Sequence, residues 1–279
     1  MYVPCKNLGK KIASEVKEFL KTLDFQPVVY DILVGENEES RVYMETKRKI
    51  GAKLGVEVIL ENLSGGVETE ELITYIRKLS SRDDVHGIMI ERPLPKNVST
   101  EIFSHINWKK DIDGQNPVNL GRIMYGYEEL ASSTAKSVAY FLDNHIGDLS
   151  GKKVCVINRS ITVGRPLCDL LLNRNATVTI CHSRTKNLKE ITLSSDIVVV
   201  AVGKAEFLKE DMVKEGCVVV DVGTNVVDGK LVGDVSPEVA EKAEVTPVPG
   251  GIGYITSRMI FRNLMEALKI QTKNNMAKL

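Results

Sequence analysis

The sequence predicts an α/β fold with a largely parallel sheet, and three observations predict it. Strand-like and helix-like segments alternate from end to end of the chain. In the second half the strand-like runs are short and wholly apolar, as in a sheet covered on both faces. The 279 residues are enough for two domains or one large one, with a substantial core.

The elements come in a clear order. Asn7 caps a first helix whose apolar side carries Leu8, Ile12, Val16, Phe19 and Leu23 at helical spacing. A strand at Val28–Val34, a helix containing Lys47, a strand at 56–60 and a helix at 69–79 come next. The strand Gly87–Ile90 stops at Glu91-Arg92-Pro93-Leu94-Pro95, because two prolines forbid continuation of the ladder. A polar loop, Lys110-Asp111-Ile112-Asp113-Gly114-Gln115-Asn116-Pro117, and a linker helix near 134–144 lead into the second half. Its strands lie at 154–157, 176–181, 197–202 and 217–222. A last amphipathic helix starts near Thr256, and its place in the chain suggests a return to the first half's fold. A frayed polar tail closes the sequence at 271–279.

Composition narrows the function classes. Basic and acidic residues balance at 37 each, which points away from nucleic acid or an anionic membrane as main partner. Cys5, Cys155, Cys168, Cys181 and Cys217 are scattered, mostly within apolar runs, and form no C-x-x-C pair. They read as reduced core thiols of a cytoplasmic protein. No apolar stretch resembles a signal peptide or a membrane span. His86, His105, His145 and His182 share no metal-ligand spacing, so no metal is expected.

One charge is out of place. Tyr43, Lys47, Ile50 and Leu54 are spaced as the buried stripe of a helix, while Arg48, Lys49 and Lys53 fall off it. A lysine on a buried seam must be paired, desolvated or functional, unless it snorkels to water at the rim.

A second signal lies at 153–172, which reads strand, turn, helix, the opening βα unit of a doubly wound fold. Asn158-Arg159-Ser160 opens the loop, and of a G-x-G-x-x-G pattern only Gly164 remains. The next strand ends in His182-Ser183-Arg184-Thr185, without the carboxylate that an NAD site needs for the ribose. Hydroxyl and cations there, with Arg159, suit a 2′-phosphate and favour NADP over NAD. The strand ends at Gly203 and at Asp221-Val222-Gly223-Thr224-Asn225 would line the same crevice.

With these pieces in order the chain resembles the methylenetetrahydrofolate dehydrogenase/cyclohydrolase family over nearly its whole length. The family's Y-x-x-x-K appears as Tyr43…Lys47 after Ser40, its P-L-P as Pro93–Pro95, and its K-D-V-D-G as Lys110–Gly114. R-S-x-x-V-G-x-P appears as Arg159–Pro166, H-S-x-T as His182–Thr185, D-V-G as Asp221–Gly223 with G-D-V as Gly233–Val235, and T-P-V-P-G-G-x-G as Thr246–Gly253. The resemblance implies a folate-binding catalytic domain of residues 1–133 and 256–279, and a Rossmann NADP domain of residues 134–255. It implies a folate cleft between them and a homodimer through the Rossmann domains.

It also implies site residues. Lys47 is the cyclohydrolase residue, Tyr43 stacks near the pterin, and Asp113 and the residue at 91 complete the catalytic and substrate group. Asn158, Arg159, Ser160, Gly164, Arg165, Pro166, Ser183 and Thr224 bind NADP, and Gly251 and Tyr254 approach the folate. Lys110 and Asp111 are structural, and Trp108 anchors its loop.

Four departures from the family bear on the chemistry. Glu91 replaces a glutamine. A carboxylate there would face Lys47 and hold it protonated, a poorer base, whereas a Glu91 left protonated by desolvation would imitate the amide. Asn158 replaces a glycine, as a residue that tolerates the left-handed region. Ser132-Ser133-Thr134-Ala135 replaces P-C-T-P and loosens a hinge. Tyr254 replaces a proline.

The activity implied is oxidation of 5,10-methylenetetrahydrofolate with NADP+ and hydrolysis of the methenyl product to 10-formyltetrahydrofolate. Three readings compete. Glu91 keeps open a dehydrogenase without the hydrolytic step. A folate- or nucleotide-binding protein without turnover is opposed by Lys47, Asp113 and the Arg159–Ser160 loop. A shikimate-type dehydrogenase would use a Lys/Asp pair on another scaffold order.

Overall fold

The computed structural model describes residues 1–276, and residues 277–279 of the expected tail lie outside the described residues. The chain divides into two compact units. One comprises residues 11–122, 129–133 and those from 257 onward, and the other residues 1–10, 123–128 and 134–256.

The first unit is built on a parallel three-stranded sheet ordered β2-β1-β3, from β1 (Val28–Val34), β2 (Glu57–Leu63) and β3 (Gly87–Ile90). Tyr30, Ile32 and Val34 of β1 alternate onto one face. There they pack with Ile88 and Ile90 against Leu72, Ile73 and Ile76 of α3 (Thr69–Ser81), and against Ile102 and Phe103. Each such side chain withdrawn from water contributes about 1.5–3 kcal/mol.

The helix α2 (Glu38–Leu54) has firm ends. Asn37 Oδ1 accepts from Ser40 N–H at 2.8 Å, and Gly55 closes it in the left-handed region at φ 93°. Its buried residues are Ser40, Met44, Lys47, Gly51 and Leu54. The stripe is therefore displaced from the expected one. Tyr43 and Ile50 are half-buried on its flank, but Lys47 is in it.

The second unit holds a parallel five-stranded sheet ordered β10-β7-β6-β4-β5. Its strands are β4 (Lys153–Ile157), β5 (Thr177–Cys181), β6 (Ile197–Val200), β7 (Val218–Asp221) and β10 (Glu244–Val245), with a separate hairpin of β8 (Asn225–Val227) and β9 (Lys230–Val232). Strand order reverses at β4, with β5 on one side and β6 on the other, so the loop between β4 and the helix α6 (Gly164–Leu172) lies at a topological switch point. Cys155, Ile157, Val198, Val200 and Val219 form the core beneath it. All five cysteines are free thiols.

Some boundaries differ from expectation. The first helix, α1 (Lys6–Leu20), begins before Asn7, which therefore does not cap it. The linker helix, α5, runs Ser133–His145, and the last helix, α8, runs Ile252–Met276. It starts four residues earlier than Thr256, and Gln271 is no frayed end. Its Nε2 donates to His86 O and Lys109 O at 3.1 and 2.9 Å.

Candidate active site

Strand parity brings a lysine and two carboxylates together in the first unit. Asp31 points away from the Tyr30–Ile32–Val34 face of β1. It lies opposite Met89 in the parallel β3, so Glu91, two residues beyond Met89, shares its face. The Glu91 N–H donates to Ile32 O at 2.8 Å and carries the ladder one step past the strand before Pro93 ends it.

α2 delivers Lys47 onto this face. Its Nζ lies 2.8 Å from Asp31 Oδ2, donates to Glu91 Oε1, and stands 4.7 Å from the centre of the Tyr43 ring. Lys47 and Asp31 are 1% and 0% exposed, Glu91 12%. Lys47 therefore does not snorkel to water.

Burial alone would push the Lys47 pKa down, but Asp31 and Glu91 outweigh it and hold it above the ordinary lysine value. Glu91 moves the other way from an ordinary carboxylate. Burial, and then the Asp31 charge, raise it to about 7 in spite of Lys47. Burial also raises the Tyr43 phenol, against the pull of Lys47.

The loop after β3 supplies Asp113. Asp111 organises it from within, accepting from the backbone of Gln115 and Asn116 and from Asn119 Nδ2 at 2.8–3.2 Å. At Gly114, with φ +67°, a Cβ would stand 2.4 Å from Ser132 N, so only glycine lets the loop pass. Gln115 Nε2 donates to Asp113 Oδ2 at 2.7 Å, and Arg92 Nε donates to Gln115 Oε1 at 2.6 Å. Burial raises Asp113, Lys47 opposes this, and Glu91 adds to it, so the three groups share one electrostatic environment.

Lys110 is structural, donating to Arg82 O at 2.6 Å. Trp108 is half-buried with the Arg122 guanidinium 4.7 Å over its ring. The Ser132–Ala135 segment is not loosened at its start. Ser133 is fully buried, and its Oγ donates to Ile112 O and accepts from Asn263.

The second unit carries the loops read as nucleotide-binding. Asn158 Oδ1 accepts from Ser160 N–H at 2.7 Å and Gly164 N–H at 3.0 Å, while its Nδ2 donates to Ala201 O. Asn158 is not at positive φ, so it serves through its side chain and not through left-handed backbone freedom. Ser160 Oγ accepts from Val163 N–H at 3.0 Å. Gly164 opens α6 (Gly164–Leu172), where a Cβ would lie 2.0 Å from Asn158 O; the close approach it permits is to its own strand end. Pro166 is buried in the first turn of α6, and Arg159 and Arg165 are exposed on its rim.

After β5, Thr185 Oγ1 accepts from His182 N–H and His182 Nδ1 from Arg184 N–H, which fixes a turn that presents Ser183 and Arg184 to solvent. Asp234 gathers the N–H groups of Val202, Gly203 and Lys204, and Asp221 those of Gly223, Asp234 and Val235. These carboxylates shape the strand-end loops beside the exposed Thr224.

Gly251 and Tyr254 belong to the second unit. Gly251 is buried and Tyr254 half-buried at the start of α8. Sequence reasoning missed Asp31 and Gln115. The signal for Asp31 was present, a lone carboxylate in the otherwise uncharged strand VVYDILV. Gln115 carried none beyond its neighbours. A cavity of about 1160 Å³ lined by Phe25, His86, Lys110 and Gln271 sits at the amino ends of β1 and β3, away from the carboxyl-end group. Among the described residues no group of three or more His, Cys, Asp or Glu could hold a metal ion.

Comparison with known proteins agrees with both halves of this description. The family model for the catalytic domain of tetrahydrofolate dehydrogenase/cyclohydrolase matches residues 3–113, and that for its NAD(P)-binding domain matches residues 132–272. The bifunctional protein FolD of Thermotoga maritima is 44% identical over 276 residues, 98% of this chain and 100% of the relative. The crystal structure of the bifunctional FolD of Campylobacter jejuni is 38% identical with a TM-score of 0.92, covering 97% of this chain and 99% of that one. A Trypanosoma brucei methylenetetrahydrofolate dehydrogenase-cyclohydrolase solved with NADP cofactor and an inhibitor is 30% identical, with a TM-score of 0.91 and 98% coverage of both chains.

Proposed function

The chain belongs to the tetrahydrofolate dehydrogenase/cyclohydrolase family, and from that premise we propose how its own residues carry the two reactions. It oxidises 5,10-methylenetetrahydrofolate to the methenyl cation with NADP+ and hydrolyses the cation to 10-formyltetrahydrofolate. The observation that carries this reading is the enclosed Lys47 between Asp31 and Glu91, beside Tyr43. A binding protein without turnover has no use for so costly a buried charge group.

The first step is chiefly a matter of alignment, with little acid–base work. NADP+, when bound, supplies the hydride acceptor. The residues present fit it by the chemistry of the donor set. Arg159, Arg165, Ser183 and Arg184 are exposed around the β4–α6 loop and the β5 turn, with no carboxylate at the end of β5. Arg159 and Ser183 hold the 2′-phosphate in this reading, Asn158, Ser160, Gly164 and Pro166 shape the loop, and Thr224 borders it. Tyr43 stacks on the pterin and Asp113, held by Gln115, accepts from its pyrimidine edge.

In the second step water adds to the methenyl carbon and one C–N bond opens, which requires a group that moves protons. Lys47, kept charged by two carboxylates, serves as hydrogen-bond donor and fixed cation for the water's oxygen. Residues 1–133 and 256–279 form the folate domain of this reading and 134–255 the nucleotide domain, with Gly251 and Tyr254 as folate contacts. The protein works in the cytoplasm as a homodimer. The balanced charge and five free thiols support the compartment, and the resemblance supports the pairing.

Incubation with methylenetetrahydrofolate and each nucleotide tests the assignment. Reduced nicotinamide with NADP and onward hydrolysis of the methenyl absorbance are expected. Reduction without hydrolysis would leave a dehydrogenase, and neither would leave a binding protein.

A further inference from the structure

The proposed reaction needs a proton carrier, and Lys47 is poorly placed to be one. It is enclosed, and two carboxylates favour its charged form. Asp31 is equally enclosed, and apart from the Lys47 ammonium neither of its oxygens meets a hydrogen-bond donor. A buried carboxylate oxygen left unpaired is costly, so it calls for a proton from a neighbour. Glu91 is that neighbour. Its carboxyl is within hydrogen-bonding reach of Asp31, touches Lys47, and is the most exposed of the three, at 12% against 1% for Lys47 and 0% for Asp31.

We infer that Asp31 and Glu91 share one proton beside Lys47, and that Glu91 is the general base and then the general acid of the hydrolysis, with Asp31 as its positioning residue. This rests on the functional reading above. Two like carboxylates this close do not both ionise freely, which is the arrangement that sets an acid–base group near neutrality. The shift of Glu91 to about 7 agrees with it. The groups facing Glu91 are Lys47 and Tyr43 from α2, Asp31 from β1, and Asp113 from the loop after β3; the adjacent Arg92 is turned to Gln115.

The step balances. A water lone pair forms the C–O bond as ionised Glu91 takes one water proton and the methenyl π pair returns to nitrogen. Glu91 then gives that proton to N5 as the C–N5 bond breaks with its electron pair. The hydroxyl proton leaves through Glu91 to solvent as the formyl C=O forms. One water proton ends on N5, one is released, and nothing is oxidised or reduced. Once the pair has given up its shared proton the three groups sum to one negative charge, which complements the cationic substrate.

The test compares the parent with Glu91→Gln and Asp31→Asn, each checked for folding by thermal melting. Hydrolysis of methenyltetrahydrofolate should rise with pH through the Glu91 titration in the parent. In Glu91→Gln it should fall about a hundredfold and lose that dependence, with hydride transfer reduced far less. In Asp31→Asn the rise should move down by about one pH unit, a shift that a merely structural role would not produce. In the parent-minus-Glu91→Gln infrared difference, in which the raised Asp111 and Asp221 cancel, a carboxylic-acid band should titrate near pH 7, a readout that needs no substrate. A Glu91→Gln protein that hydrolyses with the parent's rate and profile would overturn the relay, as would an Asp31→Asn profile whose midpoint stays put. A parent that neither reduces NADP nor hydrolyses the methenyl cation would instead sink the functional reading.

Discussion

Asp31 Oδ2 lies 2.8 Å from the Lys47 ammonium, and neither side chain is more than 1% exposed. The pairing sets the consequence of altering either partner. Glu91 alone does not control the lysine, because removing its charge leaves Lys47 ion-paired. Reading Lys47 by itself, a Lys47→Met change removes a desolvation cost and leaves stability the same or higher. With Asp31 and Glu91 facing the site, it leaves two buried carboxyls without their cation.

Lys47→Met is therefore expected to destabilise the protein in a pH-dependent way. Without the ammonium that lowers it, burial holds the Glu91 carboxyl further above its unfolded-state value. A group with a raised folded pKa binds more protons when folded, so its contribution is present at low pH and lost as pH rises through that raised value. The variant should approach the parent's stability in mild acid and fall below it toward pH 8, by about 3–5 kcal/mol in unfolding free energy. Parallel melting curves at all pH values would show that the carboxyls do not depend on Lys47.

Arg159 is exposed on the β4–α6 loop with no carboxylate at the end of β5 to oppose it. Arg159→Ala should weaken NADP binding by about 1–3 kcal/mol, a lost charge-assisted contact, and NAD much less. Titration calorimetry with each nucleotide measures it, and equal losses would remove Arg159 from the 2′-phosphate.

Asn158 acts through its side chain, which accepts from two backbone N–H groups and donates to Ala201 O. Asn158→Ala should cost about 1–2 kcal/mol in thermal or urea unfolding. Asn158→Gly should cost at least as much, since the position does not use positive φ. A neutral Gly variant would mean that the backbone and not the amide matters there.

The parts of the fold legible in sequence were those governed by local pattern. Val28–Val34 and Gly87–Ile90 have the bounds expected of them, because a β-branched run and a Pro-bounded strand leave little choice. Lys47 was legible as a buried lysine for the same reason, its place in a helical period. Asp31 was not, because its partners are 16 and 60 residues away, and only the β1–β3 register puts it on the face of Glu91. The same holds for Ser133. The loss of two prolines reads as loosening, but the hydroxyl's partners, Ile112 and Asn263, lie far off in the chain. The start of α8 was placed late because Gly251 and Gly253 resemble breakers, though the helix begins between them at Ile252.

Lys47 and its two carboxylates are assigned the hydrolysis and not the hydride transfer. A single turnover of methylenetetrahydrofolate with NADP+ by Lys47→Met separates the two steps most directly. It is run at about pH 7, where Glu91 of the parent is partly ionised, with the variant's fold checked by its melting curve. NADPH should form with the methenyl species accumulating in equal amount, while the parent carries it on to 10-formyltetrahydrofolate. Formation of the 10-formyl product by the variant at the parent's rate would contradict the assignment.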